Sequence, residues 1–135
     1  MSDEAFPRLP ALLLRAGAIV MLLALAAVVM PHHCVARTHE WLGLGAFPEQ
    51  PIAEYLARSL SGMYAILGAF CWIFAGDVRR HLGCIRFLGA IMIAGGLALA
   101  FMDWQLKMPA FWTIGELLVP PVYGVLLLLS LRGVK

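Results

Sequence analysis

Long apolar runs alternate with short polar stretches along the whole chain, and four of the runs are of membrane-spanning length. They cover about residues 12–30, 52–75, 82–102 and 111–131. A helix needs roughly 20 apolar residues to cross the hydrocarbon core of a bilayer. Proline punctuates the pattern: Pro31 closes the first run, and Pro51 stands where a first helical residue would open the second. The links around residues 76–81 and 104–109 are short, which forces the helices on either side to be antiparallel neighbours. The link between the first two runs is about 20 residues long. It carries Gly43, Gly45, Pro48 and Pro51, so an irregular segment with one interfacial turn around Trp41 is expected. The predicted fold class is all-α: an integral membrane antiparallel four-helix bundle, with residues 1–135 forming a single transmembrane domain.

Composition agrees with the pattern. The chain is 62% hydrophobic and 13% charged, against about 45–50% and about 25% in a soluble domain. The four runs leave no room for a separate soluble domain. Near the N-terminus Asp3 and Glu4 stand among Arg8 and Arg15, and no A-x-A cleavage pattern precedes Pro31. The first run is therefore expected as a retained span rather than a leader.

Charge sets the orientation. With four spans, one side of the membrane holds Arg8, Arg15, Arg79, Arg80, Arg86, Arg132 and Lys135, and the other holds Arg37, Arg58 and Lys107. The excess of Lys and Arg predicts a multi-pass protein of the cell membrane with both termini in the cytoplasm. Trp41, Trp104 and Trp112 then form an outer aromatic belt. No basic cluster is dense enough for nucleic acid, so the lipid bilayer is the expected environment, with a larger membrane complex or a homo-oligomer as partner.

The helix faces carry the candidate chemistry. In the second span Glu54, Arg58, Ser61, Ala65, Gly68, Ala69, Trp72 and Gly76 share one sector, mostly of small residues. Small residues let helix backbones approach closely in lipid, so this face should point inward. In the third span Gly89, Gly96 and Asp103 recur every seven residues, and in the fourth Glu116, Tyr123 and Ser130 do the same beside Trp112. Arg58, Asp103 and Glu116 would then approach one another near the outer side. A charge near the bilayer centre costs about 2.5–3.5 kcal/mol on insertion scales, and less towards the interface; Glu116 lies deepest of the three, about two turns into its helix, and its cheapest partner is Arg58. Pro120 and Pro121 lack the N–H groups that would bond the carbonyls of Glu116 and Leu117. A kink is expected there, with donors supplied by Arg58, Tyr123 or water. Arg58, Asp103, Glu116 and Tyr123 are thus the candidates for a ligand or proton site; the plainer alternative is a clamp that ties three helices together.

Other constellations are weaker. His32, His33, Cys34 and His39 crowd the outer link, and His and Cys are good zinc or copper ligands. Their spacing fits no standard metal site, and an interfacial polar loop is the simpler reading. No histidine lies in the apolar cores to hold a haem, no redox cysteine pair is present, and neither a nucleophile elbow nor a metalloprotease motif occurs. No cofactor is expected. Cys71 and Cys84 read as small buried or interfacial hydrophobes. The Arg79-Arg80-His81 turn reads as the ordinary inside anchor.

The run Trp41-Leu42-Gly43-Leu44-Gly45, then Pro48, Pro51-Ile52, Glu54 to Ser59, Tyr64-Ala65, Gly68, Asp77 to Arg80, Arg86 to Gly89, Asp103 and Gly115-Glu116 resembles small four-span membrane proteins known mainly as uncharacterised bacterial sequences. In layout the chain also looks like DoxX-like four-helix membrane proteins. Neither resemblance implies a catalytic motif. Two functional classes follow: a non-catalytic accessory or helix-interaction protein, or a ligand- or proton-handling protein, such as a small transporter or lipid-modifying enzyme, centred on Arg58, Asp103 and Glu116.

Overall fold

Main-chain polar groups in hydrocarbon have no water to bond, so a spanning segment must be helical or part of a closed barrel. In the computed structural model, which describes residues 8–134, all four apolar runs are helical. Asp3, Glu4 and Lys135, counted in the charge reading, lie outside the described residues. The elements are α1 (Arg8–Leu23), α2 (Leu25–Val29), α3 (His32–Trp41), α4 (Pro51–Gly76), α5 (Leu82–Gln105) and α6 (Ala110–Ser130), and the described residues contain no strand. Four stretches are long and apolar enough to cross a membrane: Arg8–Val29, Pro51–Gly76, Leu82–Gln105 and Ala110–Ser130. The protein is all-α and multi-pass.

The first span begins four residues earlier than the apolar pattern suggests and is hitched at Ala24. There the amides of Ala24 and Ala27 bond three residues back, to Met21 and Ala24, which is the tighter 3₁₀ pattern. Met30 is extended, as the residue before a proline must be, and the chain restarts at Pro31, which caps α3. The link expected to be irregular instead holds a helix of ten residues. Its sequence, HHCVARTHEW, has no proline or glycine to break it. At about 15 Å and with five charged or imidazole side chains it is too short and too polar to span, and none of its residues is buried. Its end is a Schellman turn: the Leu44 amide bonds the His39 carbonyl, the Gly43 amide bonds that of Glu40, and Gly43 takes φ +73°.

The described chain divides into two compact units, one of residues 16–72 and one of residues 8–15 with 73–134. In the 16–72 unit α4 packs on α1 at Gly68, where a Cβ would lie 3.0 Å from both the Ala18 carbonyl and the Met21 Cβ. Ala18, Ala65 and Cys71 are its buried apolar residues. The inward face of α4 therefore follows 58, 61, 65, 68 and 71; Ala69, Trp72 and Gly76, assigned to that face from the sequence, are exposed.

In the other unit α5 and α6 are antiparallel and closely packed. Gly89 and Gly96 of α5 meet Gly124 and Pro121 of α6, as the seven-residue glycine spacing predicts. A Cβ on Gly124 would fall 2.5 Å from the Gly89 carbonyl, and one on Gly96 would fall 2.6 Å from the Pro121 ring and 3.0 Å from the Glu116 carbonyl. Pro120 and Pro121 do not end α6, which is helical across both. Leu14, Val78, Ile85, Leu127 and Leu131 are fully buried here. The α4–α5 turn is held by Asp77, whose Oδ1 accepts the Arg80 amide at 3.1 Å and whose carbonyl accepts Nδ1–H of His81 at 2.9 Å. The α5–α6 turn is a second Schellman closure: the Met108 amide bonds the Asp103 carbonyl at 3.0 Å and the Lys107 amide bonds that of Trp104 at 3.3 Å. Lys107 holds the left-handed position at φ +56°, where a non-glycine residue costs about 1–2 kcal/mol.

Gly124→Ala is expected to force α5 and α6 apart and destabilise the protein by about 1–3 kcal/mol. Gly115→Ala, with nothing within 4 Å of the added atom, is expected to be neutral or to stabilise by about 0.5–1 kcal/mol. Thermal unfolding of both variants in one detergent checks the pair; equal midpoints would remove the close-packing account.

Candidate functional site

The 16–72 unit contains one dense polar node. Arg58, on α4, donates through Nε to Glu54 Oε1 at 2.9 Å, and its Nη2 reaches the same oxygen. Glu54 lies one turn before Arg58 on the same helix face, the favourable order for an i,i+4 pair. Two more guanidinium hydrogens go to the main chain: Nη1 donates to the Val28 carbonyl, and Nη2 to the Met30 carbonyl at 2.8 Å. Those carbonyls are released where α2 ends and Pro31 prevents the helix from continuing. Glu54 Oε2 in turn lies 3.0 Å from Nδ1 of His32, the first residue of α3. One arginine thus caps the end of the first span, and its carboxylate partner meets the start of the next helix.

This corrects the pairing of Arg58 with Glu116. Glu54 is already within reach on the same helix, and orphan carbonyls in an apolar setting compete strongly for a five-donor side chain. The sequence carries a signal for this pair, since Glu54 and Arg58 share one face of α4 at i,i+4 spacing. Nothing in the sequence marks His32 as the second partner of Glu54.

The other histidines have separate destinations. His39 Nδ1–H donates to the Gly45 carbonyl at 2.9 Å. His32 and His39, seven residues apart on α3, both set their rings edge-on to Phe47, with centroids 5.8 and 5.3 Å away. The segment after α3 therefore folds back on it. His32, His33, Cys34 and His39 do not converge, and among the described residues no group of three His, Cys, Asp or Glu side chains is placed to hold a metal.

Asp103 and Glu116 belong to the other unit, and their charges lie within electrostatic reach of each other. Asp103 is two residues from the end of α5. Its Oδ2 is buried and, among the described residues, meets no hydrogen-bond partner. Glu116 is the seventh residue of α6, roughly 9 Å along the helix from its start, and it borders a groove of about 320 Å³ with Phe111, Trp112, Gly115, Val119 and Pro120. Its carbonyl, freed by Pro120, faces Gly96. Tyr123 does not serve that carbonyl: its hydroxyl donates to the Leu13 carbonyl at 3.1 Å. Seven residues, about 10 Å along a helix, separate it from Glu116. The structure thus leaves Asp103 and Glu116 within electrostatic reach of each other, gives Arg58 to Glu54, and ties Tyr123 to α1.

Compared with known protein families, with curated proteins and with solved structures, the chain finds no match.

Arg58→Gln is expected to lower the thermal midpoint by several degrees, because it leaves Glu54 and two main-chain carbonyls short of donors. Arg58→Lys should recover part of the loss, since one ammonium group cannot serve all three acceptors. Glu54→Gln should be the mildest of the three. A midpoint unchanged in Arg58→Gln would show that the node contributes nothing to the fold.

Proposed function

We propose that this is a non-catalytic protein of the cell membrane, with both termini in the cytoplasm, that acts through contacts between helices in a larger complex or a homo-oligomer. The observation that carries this reading is the state of Arg58. Among the candidate residues it is the one cation within a span, and its hydrogen bonds go to Glu54 and to the end of the first span, as in a structural clamp. Support for the association comes from α5, where Ala90, Ala94 and Ala98 are exposed at four-residue spacing. Small residues in that register let a second helix approach closely in lipid. Support for the orientation comes from the seven basic residues on the side of the termini against three on the other.

A second reading rests on Asp103. A buried carboxylate oxygen without a partner is costly in an apolar setting. A proton or small cation held between Asp103 and Glu116 would remove that cost and make the pair a proton- or ligand-handling site.

Purification in mild detergent with mass spectrometry of what remains bound tests the first reading. The expected result is a stoichiometric partner or a homo-oligomer, released by Ala94→Phe without a change in thermal midpoint. A monomer without a partner, unaffected by Ala94→Phe, would overturn it. For the second reading the discriminating variant is Asp103→Asn. If Asp103 only packs, the amide leaves stability unchanged or raises it, and wild type and variant respond alike to acid and to sodium at fixed ionic strength. If the acid pair holds a proton or cation, the wild type is stabilised by one of them and Asp103→Asn loses that response.

A further inference from the structure

A second concavity lies apart from the acid pair. It is an open groove of about 790 Å³ at the α5–α6 turn, bordered by Trp104, Gln105, Lys107, Met108, Thr113 and Ile114 among others. Both helices are candidate spans, and the groove begins where they leave the apolar zone and continues along the first turn of α6. Its wall is graded. The turn end carries an ammonium group, an amide and the exposed indole of Trp104; the α6 end carries a hydroxyl and the aliphatic side chain of Ile114.

Charge decides what such a groove selects. Lys107 is the only charged residue that borders it, and the acids Asp103 and Glu116 are not part of its wall. Lys107 also has no carboxylate within ion-pair distance among the described residues. The start of α6 has no side-chain cap, so the positive end of its dipole adds to the same sign. In a bilayer a concavity at this depth is filled by lipid, and a net positive wall favours a negative headgroup.

We infer that this groove is a binding site for one anionic glycerophospholipid, whose phosphate sits on Lys107 within reach of Gln105 and Thr113, and whose acyl chain follows Met108 and Ile114. Trp104 closes the headgroup end, the position in which an indole is at home in the interface. The inference is independent of the helix-contact reading and of the acid pair, since it uses none of their residues.

Native mass spectrometry of the detergent-solubilised full chain, titrated with phosphatidylglycerol or phosphatidylcholine of the same acyl chains, tests it. The wild type should retain one phosphatidylglycerol with about five-fold preference, the effect of one cation at a membrane surface. Lys107→Gln should erase the preference and Lys107→Arg should keep it. Lys107→Gly removes the charge while suiting the left-handed backbone at φ +56°, so its loss of lipid cannot be assigned to misfolding. Equal retention of the two lipids by the wild type, or a preference that survives Lys107→Gly, would overturn the site. Displacement of the lipid by millimolar inorganic phosphate would also overturn it, because it would show an anion site that needs no acyl chain.

Discussion

A main-chain N–H or C=O in hydrocarbon must find its partner inside the protein, and each one that fails costs several kcal/mol. The structure is organised by the places where the helical ladder cannot meet that demand. At the end of the first span Pro31 stops the ladder, and Arg58 comes across from α4 to accept the burden of Val28 and Met30. In α6 Pro120 withholds an N–H from Glu116, and the freed carbonyl is set against Gly96, where the absence of a side chain lets α5 approach. At the ends of α3 and α5 the last carbonyls are closed by Schellman turns through Gly43 and Lys107. Charge and glycine are placed in this protein largely where backbone bonds would otherwise be missing.

That constraint explains why some features are legible in the sequence. The four spans are fixed by length and hydropathy, because lipid permits few alternatives to a helix. The α5–α6 contact is legible from Gly89 and Gly96 seven residues apart, because close approach in lipid depends on small side chains. The partner of Arg58 is not. Choosing between Glu54 and Glu116 requires knowing that α2 ends beside α4, and nothing in the apolar pattern states where Val28 lies. Helix α3 is not legible for a related reason: with three histidines, an arginine and a glutamate in ten residues it has no apolar face strong enough to announce itself, its residues are mostly weak helix formers, and only Pro31 and Gly43 mark its bounds.

The candidate site divides along the same line. Arg58 was attractive as a ligand-binding cation because a lone charge near a span demands a purpose. Two carbonyls and a neighbouring carboxylate supply one that involves no ligand. With four of its five hydrogens engaged, the guanidinium has little left to offer a transported or reacting group. Asp103 stands on the opposite side of the argument. Its main-chain carbonyl serves the turn by accepting the Met108 amide, but its buried Oδ2 finds no donor among the described residues.

Two kinds of polar residue are therefore present near the ends of these spans. Arg58, Tyr123 and His39 each donate to a main-chain carbonyl and so belong to the fold. Among the described residues Asp103, Glu116 and Lys107 make no side-chain hydrogen bond to a main-chain carbonyl: two are acids within electrostatic reach of each other, and one is a cation on the rim of a groove. Carboxylates cannot cap carbonyls, because they accept and do not donate while ionised, so the main-chain demand that accounts for Arg58 cannot account for them. Lys107 serves the end of α5 through its backbone, which leaves its ammonium group uncommitted among the described residues. A proton or cation at the acids and a lipid headgroup at the lysine, as proposed above, are occupants whose chemistry complements those side chains.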